Sequence, residues 1–379
     1  MMKSRHLRAA LGMAVAGIGL SLLATTPSRA EDKFAGLDMA ATKVGTPADM
    51  MDIKQFCGTK KVKVALSDGW GDNSWRKIVK AEFEDEASKC PNITETRYTN
   101  GEGKPEKQIA DIQGLIAQKF DIILLYPDGG EAILKVMKQA TQAGIAVVPY
   151  DLGEAFPGKR GVDYLDVTTE SQVGIGRVLA EWTVKQKAKG NVIVLGGTPG
   201  NPTTAAEVTG WKPVFDKAGW TVLEGGPVDT NWDPAEAQKK MAGLIAKYPQ
   251  IDAVLSDYGL GSMGALRAFV AANRPIPLWP SQDANELGCF WEDHHAANPD
   301  FQLATFSART WITREALRKA MAAVNGMNEP EPSILNLPVI EDSTSKDPAL
   351  KVRCDRNLPP DAILSSMLPQ DKLAALFKK

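Results

Sequence analysis

From Val62 onward the chain alternates short apolar runs with amphipathic stretches. The runs are Val62–Leu66, Asp121–Tyr126, Ile145–Tyr150, Asn191–Gly196 and Asp252–Ser256. Short runs without polar alternation read as strands buried on both faces, the habit of a parallel sheet. The stretches between them carry helical spacing. One opens at Pro105 and aligns Ile109, Ile112 and Ile116 on a single face. Another is capped by Asp233, with Pro234 at its first position and Glu236 placed for a capping box. Its apolar face is Ala237, Met241, Leu244 and Ile245. Repeated strand–helix units predict a doubly wound α/β fold. The alternation runs for about ten units, too many for one ordinary sheet, so two similar parallel-sheet lobes are expected. The first covers 60–166 and the second starts at Val167. An N-terminal extension, 31–59, and the segment from Ser343 to the C-terminus carry little periodicity. Both read as surface wraps, with a closing helix near 370–378.

The first thirty residues follow a different pattern. Lys3, Arg5 and Arg8 precede an uncharged, largely apolar run from Ala9 to Ala24, and Ser28-Arg29-Ala30 follows. This order is that of a secretory signal peptide, with cleavage after Ala30. The run is shorter than the ~20 residues a spanning helix needs. An exported, soluble chain is therefore expected. The whole chain has 44 basic and 46 acidic residues, and four of the basic ones lie in the first thirty. The mature part thus holds 40 against 46, a net charge of −6. That balance argues against nucleic acid as a partner.

Cys57, Cys90, Cys289 and Cys354 all fall in the mature part. In an oxidising compartment an even count points to disulfides, and four cysteines allow three pairings. Cys57 precedes the first strand and Cys90 ends the helix after it, at the same sheet edge, which favours Cys57–Cys90. Cys289–Cys354 remains and would pin the C-terminal tail. Four buried thiols are the alternative. The cysteines lack zinc-ligand spacing, so no metal is expected.

Candidate chemistry gathers past the strand ends. Asp128 follows Tyr126-Pro127, Asp151 follows Pro149-Tyr150, Asp257 follows Leu255-Ser256, and Asp283 stands soon after Trp279-Pro280. In open α/β sheets, ligands bind beyond the C-terminal strand ends. A carboxylate there can accept hydrogen bonds from two hydroxyls. Each acid taken singly could equally be a helix cap or a turn residue. The indoles add a second signal. Trp70 and Trp75 flank a polar loop after the first strand, and Trp232 stands between Asn231 and Asp233 before a helix. An indole face stacks on a sugar ring as readily as it fills a core.

Enzymatic readings are weaker. Gly259-Leu260-Gly261-Ser262-Met263-Gly264 matches the dinucleotide-binding glycine pattern after a strand, with Asp283 further on. An exported NAD(P)-dependent oxidoreductase is therefore the alternative, although the pattern lies deep in the second half rather than in a first βαβ unit. Of the three histidines, His6 is in the signal region, and the neighbours His294 and His295 point apart on a helix. There is no phosphate-loop lysine motif and no G-x-S-x-G elbow. The residues point to a binder rather than an enzyme, with no cofactor.

These residues resemble the ribose-type (type I) periplasmic sugar-binding proteins of bacterial ABC transporters. The resemblance covers roughly Lys60 to Ile340. It rests on the order of Asp72-Asn73-Ser74-Trp75, Tyr150-Asp151, Gly264-Ala265-Leu266-Arg267-Ala268 after Asp257, and Gln282-Asp283. It implies sugar contacts from Asn73, Trp75, Asp151, Trp232, Asp257, Tyr258, Asp283 and Arg309. Glu207 stands where the family often has an arginine, and Arg76 where a second aromatic is common. Both, with Asp128, complete the expected ligand set. The resemblance further implies chain crossings near 165–168, 307–310 and 337–340. Lobe one is then 60–166 plus 310–338, lobe two is 167–309, and a C-terminal strand and tail span 339–379. The implied role is that of a monomeric periplasmic receptor. It closes on a small sugar or polyol about a multi-strand hinge and delivers it to a membrane permease. Presentation of the sugar to a chemoreceptor is compatible with that role. The acidic excess at the expected crevice leaves room for an amino sugar.

Overall fold

The computed structural model describes residues 33–378, apart from residues 35, 41–42, 72, 154–155 and 198. The signal peptide and its cleavage site after Ala30, and Asp72 of the first loop, lie outside the described residues.

Strands are numbered along the chain. The first sheet has the order β3 (Ile93–Asn100), β2 (Val62–Asp68), β4 (Ile122–Tyr126), β5 (Ala146–Pro149), all parallel. Val64, Leu66, Leu124 and Val148 are buried along it, as unbroken apolar runs require. Helices α1 (Ser74–Ala87), α2 (Pro105–Ala117) and α3 (Glu131–Gln142) cover it. The second sheet runs β14 (Val339–Asp342), β12 (Leu303–Phe306), β11 (Trp279–Gln282), β10 (Ala253–Ser256), β7 (Asn191–Gly196), β8 (Thr221–Val222), and β9 (Val228–Asp229) also pairs with β7. It is parallel except for β14, which joins antiparallel at the edge. Helices α4 (Gln172–Gln186), α5 (Pro202–Ala218), α6 (Pro234–Lys247), α7 (Gly259–Ala271) and α8 (Asn285–His294) belong to this lobe. Between the lobes lies a small parallel sheet of two-residue strands, β1 (Val44–Gly45), β13 (Ile334–Leu335) and β6 (Thr169–Glu170). The fold is the two-lobed, doubly wound α/β architecture read from the sequence.

After β12 the chain returns to the first lobe. Helix α9 (Ile312–Val324) packs against α1, β4 and β5 and is buried along its whole length. Yet it carries Arg314, Glu315, Arg318 and Lys319. Arg318 holds Glu331 through two 2.8 Å contacts to Nε and reaches Glu86 at 2.8 Å. Arg314 holds Glu82, Asp85 and Glu86, and Lys319 holds Glu329. Buried charge of this kind persists only when paired.

The C-terminal segment is more than a surface wrap. Leu358, Ala362, Ile363, Leu368 and Leu373 form a separate core with Ile78 of α1 and Ala308. Asn285 Nδ2 donates to the carbonyls of Asp355, Leu358 and Pro359, and Glu82 accepts from the Ser366 hydroxyl and the Met367 amide. The tail therefore touches both lobes. It ends in α10 (Gln370–Ala375), shorter than the sequence suggested. The disulfides are Cys57–Cys90 and Cys289–Cys354. The first closes the edge of the first lobe, and the second ties the tail to α8.

Candidate ligand-binding cleft

A cavity of about 770 Å³ opens between the two lobes at the C-terminal strand ends. Its size falls within the ordinary range of ligand pockets, roughly 300–1,000 Å³. Of the expected ligand set, Asn73, Trp75, Arg76, Asp128, Asp151, Glu207, Trp232, Asp257, Tyr258 and Arg309 all line it.

On the first lobe, Asn73 caps α1 and accepts from the Arg76 amide at 2.8 Å. The cap sets the direction of the first turn, which carries Trp75 and Arg76 into the cleft. Trp75 Nε1 donates to the Ala308 carbonyl at 2.8 Å, and its ring meets Tyr126 edge-on at 6.0 Å. The Arg76 guanidinium lies 4.0 Å from the Tyr126 ring centroid and bridges Asp68 (3.0 Å) and Asp128 (2.9 Å). Burial pushes Asp128 up to about 6, although Arg76 opposes the shift.

At the hinge, Arg309 Nε donates to Asp151 at 2.8 Å and lies 3.3 Å from Glu170. Burial pushes Glu170 well above the usual carboxylate range, against the pull of Arg309. Gln172 donates its Nε2 to Glu170.

The second lobe supplies Trp232, Asp257, Tyr258 and Glu207. Asp257 accepts from Trp232 Nε1 at 3.1 Å and Thr204 Oγ1 at 3.4 Å. Burial nevertheless pushes it up to about 6. The Trp232 ring lies over Gly197, where a Cβ would fall 2.4 Å from it. Glu207 is 3% exposed and sits where α4 and α5 cross closely. A Cβ on Gly176 would fall 2.2 Å from the Glu207 carbonyl, and one on Gly210 2.0 Å from the Val173 carbonyl. Burial, and then Asp257, push Glu207 well above the usual range.

The backbone is strained at this site. Asp151, Asn231, Trp232 and Arg309 all have φ between 49° and 56°. That region is unfavourable for side chains with a Cβ and persists where the surroundings over-determine it.

Asp283 does not line the cleft. Its carboxylate is buried behind the wall and accepts from the Ala308 amide (2.7 Å), the Ser365 amide (3.1 Å) and the Ser365 hydroxyl (3.0 Å). Its neighbour Gln282 faces the cavity instead. Side chains alternate along a strand, so one residue decides the face. Glu170, Gln172, Gln108, Tyr126, Thr203 and Asn231 also line the cavity without having been singled out. Tyr126 was legible as the last residue of a strand, whereas the hinge pair Glu170 and Gln172 follow a two-residue strand with no run to mark it.

The glycine pattern at 259–264 opens α7 rather than cradling a phosphate. A Cβ at Gly264 would fall 1.7 Å from the Pro234 carbonyl, and one at Gly259 2.6 Å from the Gln282 carbonyl. Both glycines serve close packing. Asp257 beside them would repel a diphosphate, and Asp283 is engaged elsewhere. The geometry does not support the oxidoreductase alternative. Among the described residues, no cluster of His, Cys, Asp or Glu could hold a metal, and no helix is long and apolar enough to cross a membrane.

Comparison with known proteins agrees with this geometry. Residues 64–285 match the family described as periplasmic binding protein domain. The multiple sugar-binding periplasmic protein SbpA of Azospirillum brasilense is 27% identical over 198 residues, 47% of this chain and 55% of that protein. The ribose import binding protein RbsB of Escherichia coli is 24% identical over 176 residues, 46% and 57% of the two chains. The alignments thus span just over half the length of these relatives. Among solved structures, the arabinose transporter's periplasmic binding component from Shewanella sp. ANA-3, bound to L-arabinofuranose, superposes with a TM-score of 0.61 at 20% identity. It covers 72% of this chain and 89% of that one.

Proposed function

The chain belongs to the periplasmic binding protein family, and from that membership we propose that it captures a small sugar or sugar-like polyol for an ATP-driven importer. The observation that carries this reading is the cleft, where two lobes and a hinge present charged acceptors and indole edges to one space. A ring entering it would stack on Trp75 and Trp232 while its hydroxyls reach Asp128, Asp151, Asp257 and Gln282. Arg76 and Arg309 would donate to ring or hydroxyl oxygens. The proposed lobe boundaries are 60–166 with 310–338, and 167–309. Closure about β1, β13 and β6 would bring the two halves together, a hinge motion for which this family is a standard example. The closed form would then dock on a membrane permease in the periplasm, the signal peptide having delivered the protein there. The role is binding and delivery, without catalysis.

Calorimetric and thermal-shift titration of the mature protein with hexoses, pentoses and polyols tests the reading. A ligand at 100 times its Kd should add about 2.7 kcal/mol of stability. Trp75→Ala and Trp232→Ala should each weaken binding about tenfold or more, the loss of about 1.4 kcal/mol of stacking. A screen in which NADH binds and no sugar or polyol does would overturn the proposal.

A further inference from the structure

The charges in the cleft are unevenly matched. Arg76 is already engaged by Asp68 and Asp128, and Arg309 by Asp151 and Glu170. On the second-lobe wall, Glu207 and Asp257 face each other's charge, and among the described residues no cation forms an ion pair with either. The charged groups acting on Glu207 are Asp257, Arg309 and Glu170, so two of the three repel it.

Glu207 is nine-tenths buried on the cavity wall and makes no hydrogen bond to any described residue. A second, independent set of atoms tells the same story. Of the four buried polar atoms of the described cavity-lining residues without a hydrogen-bond partner, Gln108 Oε1, Gln172 Oε1 and Glu170 Oε2 are acceptors, and the fourth, the donor Arg76 Nη1, is already ion-paired with Asp68 at 3.0 Å. The orientation of Gln108 is set by its Nε2, which faces the carbonyls of Tyr126 (2.8 Å) and Ser67 (3.5 Å). Gln172 is likewise oriented by its Nε2 donating to Glu170. The cavity therefore presents unsatisfied acceptors and excess negative charge. A ligand that completes it brings donors and positive charge together.

We propose that the ligand carries a protonated amine beside its hydroxyls, an amino sugar or amino polyol whose ammonium sits against Glu207 and Asp257. An ammonium supplies three N–H donors and one positive charge to two carboxylates otherwise lacking a cation. A neutral sugar would bring no positive charge to this wall and would leave the repulsion between Glu207 and Asp257 unanswered. A metal ion would answer the charge equally, but the acids are not grouped for ligation among the described residues.

This inference rests on the cleft being the sugar site proposed above, and its test separates the two. D-glucosamine, D-galactosamine and D-mannosamine are titrated calorimetrically at pH 7 beside D-glucose, D-galactose, D-mannose and the N-acetylated amines. The expected result is at least one amine binding tenfold or more tighter than both its neutral parent and its N-acetyl form. Glu207→Gln and Asp257→Asn should each reduce that ratio to near one while melting cooperatively. A neutral sugar binding as tightly as its amine would overturn the charge assignment and leave sugar capture standing. An amine preference that survives both substitutions would overturn the placement of the ammonium. If no compound in the panel binds while a neutral pentose or polyol of the wider screen does, the inference falls and sugar capture stands.

Discussion

Helix α9 and the cleft wall both bury carboxylates, but they hold them differently. Around α9, Glu82, Glu86, Glu329 and Glu331 each touch a cation of Arg314, Arg318 or Lys319. On the cleft wall, Glu207 touches none and fronts a cavity of about 770 Å³. Pairing makes the first set part of the scaffold, and the lack of it makes the second a candidate for ligand contact. Burial alone does not separate the two, because Glu315 is an exception inside the scaffold. It is fully buried on α9 with neither oxygen hydrogen-bonded, and burial pushes it well above the usual carboxylate range. It does not line the cleft. The informative property is therefore an orphaned carboxylate that also borders space.

The largest test of this contrast is Arg318→Met. The substitution keeps an unbranched apolar stem but leaves Glu331 without its 2.8 Å cation, while Glu86 keeps Arg314 at 2.8 Å. Breaking a buried pair by removing one member destabilises by about 3–5 kcal/mol. Urea denaturation should show a loss of that order, and ligand affinity should not follow it beyond what unfolding explains. A loss below ~1 kcal/mol would mean that the network is hydrated rather than buried, and the contrast with the cleft would fail.

The next test compares the two orphans. A carboxyl whose folded pKa is raised binds its proton more tightly in the native state than in the unfolded chain. Stability then falls as pH rises from the unfolded value, near 4.3, toward the raised one. Glu207→Gln and Glu315→Gln both remove that loss. Each should stabilise the unliganded protein at pH 7.5, and the gain should vanish near pH 4. Stability thus treats the two alike. Ligand titration should not: Glu207→Gln should change affinity, whereas Glu315→Gln should leave it as it was. Equal effects on binding would remove the cavity from the argument.

The sequence showed much of the scaffold and less of the cleft, for reasons visible in particular residues. Strands β2, β4, β5, β7 and β10 were legible because both faces are buried and their runs are unbroken. Strand β3 was not, since Ile-Thr-Glu-Thr-Arg-Tyr-Thr-Asn at the sheet edge mixes half-buried with exposed positions and buries none fully. The hinge strands are two residues long, too short for any period, so Glu170 and Gln172 carried no signal. Asp283 was assigned to the cleft from its place past a strand end, but its alternation places Gln282 there instead. The tail core at Leu358, Ala362, Ile363 and Leu368 has no helical or strand period, because irregular backbone with Pro359, Pro360 and Pro369 sets its spacing.

Asp128 tests the contrast at its boundary, because it belongs to both classes. It is ion-paired like the acids around α9, to Arg76 at 2.9 Å, yet it lines the cavity like Glu207. Its carboxyl is pushed up to about 6, so burial outweighs the attraction of Arg76. Asp128→Asn removes a charge whose ionisation lowers stability between pH ~4 and pH 6, but it also removes a partner of Arg76. Arg76 keeps Asp68 at 3.0 Å, so it is not left unpaired. The raised value already includes the pull of Arg76, so the net change at pH 7 should be stabilising. The sharper signature is the pH profile. The difference between wild type and variant should grow from pH 4 to pH 6 and then stay level, as denaturant midpoints across that range would show. A difference that instead shrinks as pH rises would mean that the Arg76 pair governs Asp128. The residue would then belong with the scaffold rather than with the cleft.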